Sequence, residues 1–104
     1  MHVISRKPFK DAAERYPNDA TAIDALYKTL RNGQFGTPDS LRAMFPSMDN
    51  FKYKDKWWVI DIGGNNLRLI AFIEFRDSRM YVKHIVNHPD YDRLCKKYAK
   101  EARR

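Results

Sequence analysis

The sequence predicts an α+β domain: two leading helices packed on a three- to four-stranded antiparallel sheet, followed by a final helix. Three observations predict it. Apolar residues recur at helical spacing up to about residue 44, strand-like runs fill Phe51 to Asn87, and helical spacing returns after Pro89. At 104 residues, with no internal repeat, low-complexity tract or linker, the chain reads as a single domain, 1–104.

The first helix is expected from Ser5 to about Tyr16, where Phe9, Ala13 and Tyr16 form a stripe. Pro8 suits its first turn, which needs no backbone donor, and Pro17 ends it. The second helix carries Ile23, Leu26, Tyr27 and Leu30, with Asn18 or Asp19 as its cap and Gly33 just past its end. Thr37-Pro38-Asp39 then predicts a short helix through Met44, stopped by Pro46.

From Phe51 the period changes. Phe51 to Lys54 alternates and is expected as a strand, and Trp57 to Ile62, dense in aromatic and β-branched residues, as another. After the Gly63-Gly64-Asn65-Asn66 turn, Leu67, Leu69, Ala71, Ile73 and Phe75 should face the core. Arg68, Ile70, Phe72, Glu74 and Arg76 should take the other face. A further strand spans Met80 to Asn87. The last helix begins near Pro89, with Tyr91, Leu94, Cys95, Tyr98 and Ala102 as its stripe.

Charge narrows the function. The formal net charge is +7 and is carried by the C-terminal half: residues 1–50 hold seven Lys/Arg against six Asp/Glu, residues 51–104 thirteen against seven. A globular chain this basic on one side commonly meets a polyanion, of which nucleic acid is the most frequent. No run approaches the roughly 18 apolar residues of a membrane-spanning helix, and the N-terminus lacks the apolar core of a signal peptide. Cys95 is the only cysteine, so an internal disulfide is impossible and a reducing cytoplasm is the expected location. One cysteine and three scattered histidines offer no metal-ligand pattern, so no metal and no cofactor is expected.

Three clusters could carry chemistry. Arg68 lies mid-strand beside Ile70 and Phe72 on a partly apolar face, where it is either a solvated arginine or a bidentate clamp for phosphate. Lys52, Lys54 and Lys56 interleave with Tyr53 and Trp57, the mixture that pairs with phosphates and stacks on unpaired bases. The aromatics could equally be core and the lysines a solvated edge; Tyr53 and Trp57 are the expected exposed pair. His88-Pro89-Asp90-Tyr91-Asp92 reads either as a capped helix start or as a site, since a histidine near neutral pH serves as general base or acid.

The chain resembles the HigB toxins of the RelE-like superfamily along essentially its whole length. The resemblance rests on ISRKPFKDAAERYP, FKYKDKWWVIDIGGNNLRLIAFIEF and HPDYD in that order and spacing. It implies a small helix–helix–sheet fold that binds the ribosomal A site and cuts the mRNA held there. It also implies a cognate antitoxin of helix-turn-helix type, which silences the toxin and alone contacts operator DNA. Arg68 matches the family's cleft arginine, and His88 and Tyr91 match its H-x-x-Y-D signature. Lys52 to Lys56 fall where relatives hold RNA, and Lys96 and Lys97 are further expected RNA or ribosome contacts.

The mechanism so implied is metal-independent. A base, His88 or a lysine of depressed pKa such as Lys56, takes the 2′-hydroxyl proton, and the oxygen attacks the adjacent phosphorus. Arg68 stabilises the developing charge, and Tyr91 donates to the leaving oxygen or stacks on a base. The alternative is a basic RNA- or ribosome-binding module without catalysis, in which His88 is a cap and Tyr91 plain core.

Overall fold

The computed structural model describes residues 1–102. Strand β1 is His2–Val3, α1 is Lys7–Arg15, and a single 3₁₀ turn, Pro17–Asp19, leads into α2, Ala20–Asn32. Helix α3 is Pro38–Met44. Strands β2 (Asp49–Asn50), β3 (Trp57–Ile62), β4 (Leu67–Glu74) and β5 (Arg79–Asn87) follow, and α4, His88–Ala102, completes the fold. The α+β class expected from the sequence is borne out, with a larger sheet. Five strands stand in the order β1-β5-β4-β3-β2, and β1 runs parallel to β5 while the other pairs are antiparallel.

The central alternation holds. Leu67, Leu69, Ala71 and Ile73 are buried on one face with Ile60 and Ile62 of β3. Phe9 and Ala12 of α1, Ile23, Leu26 and Leu30 of α2 and Leu41 of α3 pack onto that face. Thr37 caps α3 as expected: its Oγ1 accepts from the Ser40 amide and Ser40 Oγ accepts from the Thr37 amide, both at 3.2 Å. Asp19 stands at the start of α2 but gives it no side-chain cap. Its Oδ1 accepts instead from Asn66 Nδ2 at 3.1 Å, tying α2 to the β3–β4 turn. Gly63 in that turn has φ +62°, which favours glycine, and a Cβ there would crowd the same Asp19 oxygen at 3.0 Å.

Two local expectations are corrected. The strand next to β3 is Asp49–Asn50, paired with Val59 and Trp58, and not Phe51 to Lys54. Phe51 turns inward and is buried, and the chain from there to Lys56 closes in turns, with Lys54 N–H donating to Phe51 O at 3.3 Å. Tyr53 and Trp57 are accordingly half-buried around the Phe51 ring, not an exposed pair, with centroids 5.5 and 5.9 Å from it.

The second sheet face is covered too. Phe51, Val59, Ile70 and Tyr98 form a small core of their own, with Trp57, Tyr91, Leu94 and Cys95 packed against it. Helix α4 therefore lies across the face that carries Arg68.

Candidate active site

Counting back from the turn places Asp61 opposite Arg68, and Val86 flanks Arg68 on the other side. Asp61 Oδ1 lies 3.4 Å from Arg68 Nε, an ion pair without a hydrogen bond; buried Nε has no hydrogen-bond partner among the described residues. The guanidinium carbon stands 4.5 Å from the centre of the Tyr91 ring. Stacking on a ring face holds an arginine through its plane and leaves its in-plane N–H donors for an oxyanion. The side chain keeps 28% of its surface exposed, enough to meet a phosphate from solvent.

Helix α4 supplies the ring. Asn87, the last residue of β5, accepts from the Asp90 amide at 3.1 Å and is thus the helix cap, the role expected of His88. Burial pushes the Tyr91 phenol above its ordinary range, and contact with Cys95 adds to this while Arg68 opposes it. Tyr91 therefore remains a protonated donor at neutral pH. Asp90 is bridged by Arg15 of α1 at 3.1 Å, which ties the start of α4 to α1, and by Arg93 one turn further along the same helix.

His88 follows the Asn87–Leu67 pair and so lies at the same end of the sheet as Arg68. Its Nε2 is 2.6 Å from the Asn65 carbonyl oxygen. A carbonyl only accepts, so Nε2 carries the proton, and the nitrogen left to act as a base is Nδ1. With Asp19 on one side and His88 on the other, the glycine turn is held by two hydrogen bonds.

Lys56 is not brought to this site. It ends the loop before Trp57, which pairs with Phe72, and Phe72 is four residues along β4 from Arg68, about 13 Å at the rise of a strand. Lys56 Nζ lies 3.0 Å from Glu74 Oε2, and the bond and charge of Glu74 raise its pKa. That is opposite to the depressed value a base requires. The other expected RNA contacts spread over a basic flank. Lys52 lies over Tyr53, and Lys54 and Lys97 both lie over the Tyr98 ring, at 5.4 and 5.6 Å. Lys54 also reaches Glu101 at 3.5 Å. Lys96 and Lys97 join Arg93 and Lys100 in lining an open groove along α4.

Two further residues on the Arg68 face carry no family motif. Hairpin counting pairs Asp61 with Arg68. His84 competes with His88 in the sequence but has no motif to place it. It sits opposite Ile70 on the Arg68 face, its Nε2 2.8 Å from the Tyr98 hydroxyl. Burial, then the charges of Lys97 and Lys83, lower its pKa from 6.5. The unfolded chain thus binds this proton more readily than the folded one. The stability so contributed is complete above the ordinary histidine value and is lost as pH falls through it toward the lower folded value. Urea unfolding between about pH 7.5 and 5.5 should therefore be less pH-dependent in His84→Gln than in the parent. An equal loss of stability in both proteins would exclude His84 as the source.

Comparison with known proteins decides the family. The model of the HigB toxin family, described as the RelE-like toxic component of a toxin–antitoxin system, matches residues 19–94, a span that includes Arg68, His88 and Tyr91. The chain belongs to the HigB toxin family. It is 52% identical over 98 residues to the mRNA interferase HigB of Escherichia coli O6:H1 (strain CFT073), covering 94% of this chain and 95% of that one. It is 47% identical over 92 residues to the mRNA interferase toxin HigB of E. coli K12 and to the mRNA interferase HigB of Shigella flexneri, covering 88% of each chain. Membership implies a cognate antitoxin as partner. Among the described residues, no helix of this HigB-family chain is long and apolar enough to cross a membrane.

Proposed function

We propose that this HigB-family chain is an mRNA endoribonuclease that cuts messages on the ribosome by attack of a ribose 2′-hydroxyl on the adjacent phosphate. The observation that carries the reading is Arg68, stacked on Tyr91 with 28% of its side chain still exposed, in a family whose curated relatives are named mRNA interferases. His88 Nδ1 accepts the 2′-hydroxyl proton. The freed oxygen bonds to phosphorus as the bond to the 5′-oxygen breaks, and Arg68 neutralises the charge gathering on the phosphoryl oxygens. The Tyr91 phenol, protonated at neutral pH as tyrosines ordinarily are, gives its proton to the leaving oxygen. The products are a 2′,3′-cyclic phosphate and a 5′-hydroxyl.

A side chain set this small contributes acid–base catalysis worth roughly 10²–10⁴-fold, and positioning must supply the remainder. The ribosome holds the message in place, and the lysines of the α4 flank and of the Lys52–Lys54 loop meet its phosphates. A cognate antitoxin of helix-turn-helix type restrains the toxin and contacts operator DNA on its behalf, and the setting is the cytoplasm.

The test combines the purified chain with ribosomes carrying a defined message and maps the cut ends. Cleavage with cyclic-phosphate ends, reduced on the order of 10²-fold or more in His88→Ala, is expected. Arrest of translation with no cut message would replace this reading by the binding module. Full cleavage by His88→Ala would remove His88 as the base and leave its tie to Asn65 as its role.

A further inference from the structure

Helix α4 leaves one row of the second sheet face only partly covered. Trp57, Phe72 and Tyr81 pair across β3, β4 and β5 in a single row and are all half-buried. Together with Lys83 they line an open hollow of about 380 Å³. The Phe72 and Tyr81 centroids are 5.8 Å apart with planes inclined at 57°, so each ring offers a face of its own. Lys83 Nζ lies 5.8 Å from the Trp57 centroid, and Trp57 is in turn braced edge-on against Tyr98 at 5.3 Å. Cross-strand aromatic pairs strengthen any sheet. That accounts for the Phe72–Tyr81 contact itself, but not for two adjacent rings left half-exposed beside Trp57 on a face that is otherwise roofed.

We propose that this row is a stacking platform for unpaired bases of the RNA strand, with Lys83 and Lys97 meeting the flanking phosphates. The proposal rests on the endoribonuclease reading and extends it to residues outside the reacting set. Every base has a flat π-face, so aromatic platforms bind single strands with little regard to sequence, and neighbouring cations supply the backbone contacts. The charges here suit a polyanion: Lys83 stands over the Trp57 ring, and Lys54 and Lys97 stand over the Tyr98 ring that braces it. Phe72 lies four residues along β4 from Arg68, about 13 Å away at the rise of a strand, so the platform holds bases beside the scissile phosphate and not at it. It would thereby set which bases are favoured next to the cut.

The experiment measures anisotropy of fluorescein-labelled, unstructured octauridylate and octaadenylate with the purified toxin. Phe72→Ala and Tyr81→Ala are each expected to weaken binding roughly 5- to 150-fold, the usual effect of losing one base stack. Tyr81→Phe, which keeps the ring, should bind like the parent. The aromatic variants should keep the parent's salt dependence, whereas Lys83→Ala should lower the slope by about 0.7. Thermal unfolding of each variant reports whether the fold is retained. Absence of oligonucleotide binding by the parent, or undiminished binding by both folded alanine variants, overturns the platform. If the same two variants instead lose only the cognate antitoxin, the row is a protein interface and the proposal also falls. Ribosome cleavage assays keep the two ideas apart: platform binding without cut message refutes the nuclease reading alone, and cleavage with an unaltered base preference in the variants refutes the platform alone.

Discussion

Arg68→Ala is expected to lower single-turnover cleavage of ribosome-held mRNA by about 10²–10³-fold, and to relieve growth arrest when the toxin is produced without its antitoxin. The magnitude is that of deleting one preorganised donor from a developing oxyanion. Arg68→Lys should recover only part of the loss. Lysine keeps the charge but has neither the planar face that lies 4.5 Å above Tyr91 nor a fork for two phosphoryl oxygens. Tyr91→Phe separates two roles of the ring. It keeps the surface on which Arg68 stacks and removes the proton, so a drop comparable to other acid–base losses, roughly 10²-fold or more, is expected if the phenol serves the leaving oxygen. A parental rate in Tyr91→Phe would make Tyr91 a positioning residue. Cleavage by folded Arg68→Ala within about threefold of the parent would refute the assignment of Arg68 altogether.

Arg68 could be found in the sequence because its strand is unusually legible. Four apolar residues of β4 occupy alternate positions and are buried as alternation requires, so the face of Arg68 followed at once. Asp61 lay within reach by counting back from the Gly63-Gly64 turn, but it was not among the expected site residues. His84 could not be found that way. Between Ile70 and Ala71 the β4–β5 register slips, Val82 pairing with Ala71 but His84 with Ile70, which leaves Lys83 as an extra residue. Alternation from Met80 would put His84 in the main core, whereas the bulge turns it to the Arg68 face. Strands β1 and β2 escaped for a simpler reason: two residues have no period, and neighbouring strands alone define them. Phe51 misled because an aromatic at strand spacing and an aromatic filling a separate small core look alike in sequence. The cap at Asn87 was missed because strand and helix meet there without a loop.

Tyr98→Ala should cost about 3–5 kcal/mol of stability, the usual loss for a buried aromatic, and that is a large part of the roughly 5–15 kcal/mol holding a domain of this size. Tyr98 is the one buried side chain of α4. Its ring meets Phe51 at 5.6 Å, Trp57 at 5.3 Å and His84 at 5.9 Å, so it joins the helix to the Phe51 loop, to β3 and to β5. Tyr91 stands two helical turns earlier on the same stripe, and its place above Arg68 depends on α4 remaining seated. The substitution should therefore reduce cleavage without removing any group that meets the reacting phosphate. Tyr98→Phe is the control. It gives up only the 2.8 Å contact with His84, about 1 kcal/mol, and should leave α4 and activity nearly intact. Urea unfolding gives the energies, and amide exchange along α4 reports whether the helix has come loose. If Tyr98→Ala costs less than about 1 kcal/mol and the α4 amides stay protected, the helix is held chiefly by its first turns, through Tyr91, Leu94 and the Asp90–Arg15 pair. The expected result instead makes the far half of α4 a structural determinant of the active site, because the ring that holds Arg68 is only as well placed as the helix that carries it.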